Sequence, residues 1–272
     1  MKNKNEKNSP YVAKQPNAHG LVEYTPEENK VWKTLYERQV KLIKDRACDE
    51  YWEGIQTLEL SPDHIPQCPE VSAHLRKATG WAVEPVKALI SFDEFFHLLA
   101  NKRFPAATFI RRPEEIDYLK EPDIFHEFFG HCPLLTHRDF ADFTQKVGIL
   151  GTALDKKNHA LLARVYWFTV EFGLIQTEKG LRIYGGGILS SKTESVYALE
   201  SDTPTRKPFD LLTVLRTPYR YDELQKTYFI IPSFKALYAL MDQDLRVLFD
   251  QVRAMGMLED PHIPPSTDIR SC

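Results

Sequence analysis

The chain has 272 residues, of which 43% are hydrophobic and 12% aromatic, enough for a packed core and incompatible with global disorder. Its 35 basic and 38 acidic residues leave a formal net charge of -3, which gives no basic footprint for nucleic acid and no polybasic membrane anchor. No apolar run approaches the roughly 18 to 20 residues that span a bilayer, the lysine-containing start lacks the apolar stretch of a secretory signal, and Cys48, Cys68, Cys132 and Cys272 show no CxxC spacing, so a cytoplasmic protein with free thiols is expected.

Residues 1 to 22 are polar and are expected to form a flexible N-terminal segment. Order is predicted to begin at Thr25-Pro26-Glu27-Glu28, a capping box with proline at the first helical position. Trp32, Leu35, Tyr36, Val40 and Ile43 then recur at helical spacing. The proline-punctuated stretch 61–69 reads as a loop. Further helical patterns fall at 70–79, 92–101, 121–130, 138–148 and 159–174. Leu181–Tyr184, the triplet Gly185-Gly186-Gly187, and Ile188-Leu189 read as strand, corner and strand. A second short strand pair is expected near 218–231, and a last helix over 233–255 with Phe234, Leu237, Tyr238, Met241, Leu245, Leu248 and Val252 on its apolar side. The tail over 258–272 is proline-rich and expected to be loose. The fold class is therefore mainly α with minor short β-strands, as a single domain over residues 23–257. No internal repeat, GxGxxG or P-loop is present.

Chemistry concentrates in Glu121–Leu135, which contains His126-Glu127-Phe128-Phe129-Gly130-His131. The histidines are five apart, not four as in the HExxH of zinc peptidases. On an ideal α-helix that leaves roughly 140° between the side chains, so they converge only where the helix stops or distorts. Gly130 supplies a candidate stop and Pro133 hinders resumption. Glu171 lies among the aromatics of Val165–Leu174, where a buried carboxylate needs a cation or hydrogen bonds. Two imidazoles and a carboxylate form the facial set that leaves positions open on Fe(II). The alternatives are a Glu171 ion pair with Arg164 or Arg182, and a zinc hydrolase with Glu127 as general base. His19, His64, His137, His159 and His262 default to ordinary core or surface roles.

Glu121–Leu135, Tyr166–Leu174 and Tyr184–Ser191 together resemble the pterin-dependent aromatic amino acid hydroxylases, and most nearly their bacterial members that act on phenylalanine. The resemblance spans residues 25 to 240. It implies an oxidoreductase of the monooxygenase kind, an aromatic amino acid hydroxylase-like catalytic domain that turns L-phenylalanine into L-tyrosine with O2, as in phenylalanine catabolism. Its cofactors are then Fe(II), held by His126, His131 and Glu171, and a tetrahydropterin, either tetrahydrobiopterin or a relative. By the same resemblance Arg111 pairs with the substrate carboxylate, a planar anion suited to a guanidinium fork. Asp123 orients Arg111, Ser190 contacts substrate and supports a ligating histidine, and Glu194 belongs to that supporting layer. Tyr118, Pro122 and Trp167 match pocket-lining positions. Phe95 matches the ring on which the pterin stacks, Glu127 an acid beside it, and Leu89, Ile90 and Ala163 further pterin contacts.

Departures from the family pattern are also visible. Leu119 replaces a threonine that animal relatives place near the substrate. Neither the long regulatory region nor the heptad helix of animal relatives is recognisable, so phenylalanine activation and coiled-coil tetramerisation are not implied, and a monomer or dimer is expected. Ile230, where tyrosine-hydroxylating relatives carry an aspartate, suits an unsubstituted phenyl ring better than a phenol. An interaction protein retaining an enzyme scaffold is a third reading, against which the intact ligand set argues.

Overall fold

A computed structural model describes residues 11–86, 90–119 and 121–258. The order of regular elements is α1 (Pro26–Ile43), α2 (Asp49–Thr57), α3 (Cys68–Ala78), β1 (Ala82–Val86), α4 (Phe92–Ala100), β2 (Arg103–Ala107), α5 (Arg138–Ala153) and α6 (His159–Tyr166). After these come β3 (Gly173–Thr177), β4 (Gly180–Ile183), α7 (Gly186–Leu189), α8 (Glu194–Glu200), β5 (Thr205–Pro208), α9 (Leu211–Arg216), β6 (Thr227–Ile231), α10 (Phe234–Leu240) and α11 (Leu245–Met255). The architecture is mainly helical with short strands, as expected. No helix among the described residues is long and apolar enough to cross a membrane.

The start of α1 follows the sequence signal. Thr25 Oγ1 accepts from the Glu28 amide at 3.2 Å, and the Glu28 carboxylate accepts from the Thr25 amide at 2.7 Å. Its inner face places Trp32 edge-on to Phe125 at 5.5 Å and Tyr36 edge-on to Phe129 at 5.4 Å. Phe125 and Phe129 themselves stack at 4.8 Å. Burying rings of this size contributes about 1.5–3 kcal/mol each, and it fixes one side of the 124–131 segment. Gln39, wholly buried on α1, donates to the Ser191 carbonyl at 3.1 Å and to Ser195 Oγ at 2.7 Å, tying the helix to the corner between α7 and α8.

Several elements differ from expectation. The segment 121–130 is not an ordinary helix: after Ile124 and Phe125 the chain winds as a π-helix over His126–His131 and then as a 3-10 turn over Cys132–Thr136. Gly130 is therefore no helix stop, and Pro133 sits in the first turn of the following 3-10 segment, where its missing N–H costs nothing. The predicted helix 159–174 is α-helical only to Tyr166, π-helical over Trp167–Glu171, and yields to β3 at Gly173. Ile188-Leu189 belong to α7 rather than a strand. β6 forms as expected, but its neighbours are β3 and β5, both parallel to it, in a sheet of order β4-β3-β6-β5. The last helix breaks into α10 and α11, the second capped by Asp244, whose carboxylate accepts from the Arg246 amide at 2.9 Å.

The elements missed in the sequence include α2, α8, β5, α9 and the parallel pair β1–β2, in which Pro85 and Pro105 read as strand breakers. Of the N-terminal segment expected to be flexible, residues 11–22 are described. Tyr11 stacks on Phe109 at 4.5 Å, Thr108 Oγ1 donates to the Lys14 carbonyl at 2.8 Å, and Val22 is buried. Residues 1–10, Leu89 and the tail beyond Leu258, including Cys272, lie outside the described residues. Cys48, Cys68 and Cys132 are buried free thiols.

Candidate metal centre

The five-residue spacing of His126 and His131 is resolved by helix pitch. π-winding closes hydrogen bonds between residues five apart, so residues i and i+5 stand roughly one turn apart on one side. His126 Nε2 and His131 Nε2 consequently face each other at 3.0 Å. The second π turn delivers Glu171, whose two carboxylate oxygens lie 3.7 Å from His126 Nε2 and 3.3 Å from His131 Nε2. Nearby cations make other contacts: Arg164 donates to the Leu215 carbonyl and Arg182 to that of Leu181. Two imidazole lone pairs and a carboxylate converging this closely need a shared positive charge. A single divalent ion shared by the three groups would meet that need.

Both histidine rings are held from behind. Ser190 Oγ lies 3.0 Å from His126 Nδ1, which leaves Nε2 directed at the other two groups. The His131 ring is fixed by packing: Phe104 lies 5.3 Å from it, and a Cβ on Gly186 would come within 2.4 Å of its Nδ1. The glycine corner seen in the sequence is thus the floor of the site. Gly130 serves the same close approach from the other side, since a Cβ there would meet the Gly186 carbonyl at 2.6 Å. The carbonyl of Phe129 accepts from Tyr51 at 2.7 Å, so α2 backs the same turn.

The electrostatics suit metal capture. Burial first, and then the charge of His131, hold His126 down to about 4, although Glu171 opposes this. Its imidazole is therefore neutral and ligand-ready near pH 7. Burial pushes Glu171 up, but the charge and hydrogen bond of His131, with the charge of His126, outweigh it and keep the carboxyl below its ordinary value. Burial raises Glu127 well above the usual carboxylate range, and the charges of Glu171 and Asp123 push the same way.

Arg111 and Asp123 are both buried and form a two-pronged pair, Nε to Oδ2 at 2.8 Å and Nη2 to Oδ1 at 2.9 Å. The pair uses the Nε edge of the guanidinium, and the outer Nη edge retains the fork geometry suited to a second carboxylate. Asp123 also accepts from the Arg111 amide and, at 3.0 Å, from the His126 amide. Trp167, partly buried, heads the π turn that ends at Glu171. Pro122 is partly buried, whereas Tyr118 is 63% exposed on a turn that Asp117 ties to Lys192.

Phe95 packs edge-on to Tyr166 at 4.9 Å. Ile90 and Ala163 are partly buried. Glu194 does not hydrogen-bond to Ser190. It accepts instead from the Gln225 amide at 3.0 Å and from the Tyr228 hydroxyl. Gln225 was not singled out in the sequence: a glutamine in the charged run Arg220–Lys226 carries no pattern signal. Ile230, two residues after Tyr228, lies on the same face of β6, partly buried.

Comparison with known proteins agrees with this arrangement. Residues 3–251 match the family model of biopterin-dependent aromatic amino acid hydroxylases. The phenylalanine-4-hydroxylase of Pseudomonas aeruginosa is 51% identical over 259 residues, covering 95% of this chain and 98% of the relative. The structure of phenylalanine hydroxylase from Legionella pneumophila superimposes with a TM-score of 0.89 at 54% identity, covering 91% of this chain and 98% of that one. That of Chromobacterium violaceum phenylalanine hydroxylase with bound iron(III) and 7,8-dihydrobiopterin gives 0.84 at 44% identity, covering 92% and 93%. With its paired π turns, facial ligand set and these relatives, the chain belongs to the biopterin-dependent aromatic amino acid hydroxylase family.

Proposed function

We infer that this chain is a phenylalanine 4-monooxygenase, converting L-phenylalanine and O2 to L-tyrosine with Fe(II) and a tetrahydropterin. The observation that carries the reading is the convergence of His126, His131 and Glu171 in a chain half identical to phenylalanine-4-hydroxylases along nearly its whole length. When bound, iron and reduced pterin together activate O2 and supply the electrons for its cleavage, one oxygen atom entering the aromatic ring.

The chain's own residues hold and orient. His126, His131 and Glu171 hold the iron, and Ser190 keeps the His126 ring aligned. Arg111, steadied by Asp123, takes the substrate's α-carboxylate on its outer Nη edge. Trp167 and Pro122 flank the substrate ring, with Tyr118 at the rim. Ile230 offers an apolar wall with no partner for a phenol, which favours phenylalanine by about 1–3 kcal/mol over a hydroxylated ring. Phe95 provides an aromatic face for the pterin, Ile90 and Ala163 border it, and Glu127, whose carboxyl is raised well above the usual range by burial, stands beside it. Residues 23–257 form the catalytic unit. It acts as a monomer or dimer in the cytoplasm, without nucleic acid or membrane, in keeping with its buried free thiols.

Protein loaded with Fe(II) without oxygen, then given phenylalanine, tetrahydropterin and O2, forms tyrosine, and omitting the pterin abolishes it. Absence of tyrosine with iron bound overturns the reading, and retention of zinc instead of iron points to a hydrolase.

A further inference from the structure

We propose that Gln225 is a positioning residue, which fixes the indole of Trp167 as a wall of the substrate pocket and is itself held by Glu194. The proposal deepens the function inferred above and rests on it for the identity of the substrate.

Gln225 is only 4% exposed, in the connection between α9 and β6. Its Oε1 accepts from Trp167 Nε1 at 2.9 Å, its Nε2 donates to the Arg220 carbonyl at 2.8 Å, and its amide donates to Glu194 at 3.0 Å. An indole N–H only donates and a carbonyl only accepts, so the side-chain amide is satisfied in one orientation and not in its flip. The indole is also clasped between two rings, Tyr219 at 4.4 Å and nearly parallel, and Phe172 at 4.7 Å. Stacking restrains the ring plane but permits sliding within it. The bond to Gln225 removes that freedom.

The consequence reaches the iron ligands through the chain. Trp167 and Glu171 begin and end one π turn, and the Phe172 amide closes it on the Trp167 carbonyl at 2.9 Å. Glu194 follows Ser190 by four residues, so one stretch of chain supports both the His126 ring and, through Gln225, the pocket wall. Tyr228, whose hydroxyl is the second donor to the Glu194 carboxylate, shares its strand face with Ile230. The network therefore joins the indole wall to the apolar wall that selects the ring.

The test compares Gln225→Met, which keeps volume and removes the acceptor, in the parent and in a Trp167→Phe background, which keeps a ring and removes the donor. In the parent, the KM for phenylalanine rises about 5- to 10-fold, the effect of one lost hydrogen bond, while the pterin KM stays within about 2-fold. In the Trp167→Phe background the same replacement adds less than about 2-fold. Equal increases in both backgrounds, or none in the parent, overturn the proposal. An activity-independent readout is the fluorescence anisotropy decay of Trp167 in metal-free protein, obtained by difference from Trp167→Phe. Gln225→Met gives faster local motion, and unchanged motion overturns the proposal even if the parent makes no tyrosine. Should Gln225→Met fail to fold, Trp167→Phe alone removes the same bond and must raise the phenylalanine KM without loss of iron.

Discussion

Asp123 binds Arg111 through both carboxylate oxygens and, with one of them, also accepts the backbone N–H of His126. One buried carboxylate thus joins Arg111, proposed above to meet the substrate's acid group, to the turn that carries His126 and His131. A displacement of either is felt by the other, because the fully buried Asp123 holds both.

Arg111→Ala should raise the KM for phenylalanine about 10- to 100-fold, the range for a lost charge-assisted hydrogen bond. Arg111→Lys should recover little of this, since an ammonium cannot reproduce the fork. Steady-state kinetics varying phenylalanine and pterin separately check the role, and equal rises in both constants count against it.

Acid stability should depend on the same pair. Burial raises Asp123, but the Arg111 charge and its hydrogen bonds outweigh this and hold the carboxyl below its ordinary value. A depressed folded value means that the stabilisation is complete above the unfolded value of about 3.9 and is lost as pH falls through the lower folded one. Asp123→Asn should therefore cost about 3–5 kcal/mol near neutrality, with the gap to the parent narrowing below about pH 3.9. Denaturant titrations across that range test it, and a gap that does not change with pH removes the linkage.

Iron retention should grade with distance from the ion. His126→Ala and Glu171→Ala each abolish it, whereas Ser190→Ala, which only frees the His126 ring, weakens affinity about 10- to 100-fold. Competition with a chelator measures all three, and parent-like affinity in Ser190→Ala would show that the ring needs no such support.

Gly186→Ala should damage the site by crowding. The new methyl would stand 2.4 Å from His131 Nδ1, against a ring already packed beside Phe104. The expected cost is about 1–3 kcal/mol of stability, with loss of iron but retention of far-ultraviolet dichroism. Full iron content in this variant would mean that the floor yields.

Much of this was legible in the sequence. Thr25 and Glu28 announce a helix start by local chemistry, and that start forms as read. His126, His131 and Glu171 were recognisable because donor types and family motifs carry their own signature. The winding was not. Periodicity tests compare periods of 3.6 and 2.0, so a π turn is read as helix, and Gly130 as its end. β1 and β2 were hidden by prolines that a two-stranded ribbon tolerates. Gln225 was hidden because its role depends on Trp167, 58 residues away.

The histidine segment also has a bearing on how different metal motifs relate. Removing either Phe128 or Phe129 from His126–His131 leaves the spelling His-Glu-x-x-His, the zinc-peptidase pattern, on what would become plain α-helix. A single inserted residue, absorbed as a change of pitch, thus separates the two spellings. It also rotates everything downstream by about 100°, which is the difference between presenting the 3-10 turn to α2 and turning it away. In this segment the choice of metal chemistry is written in the length of a helical turn more than in the identity of its ligands.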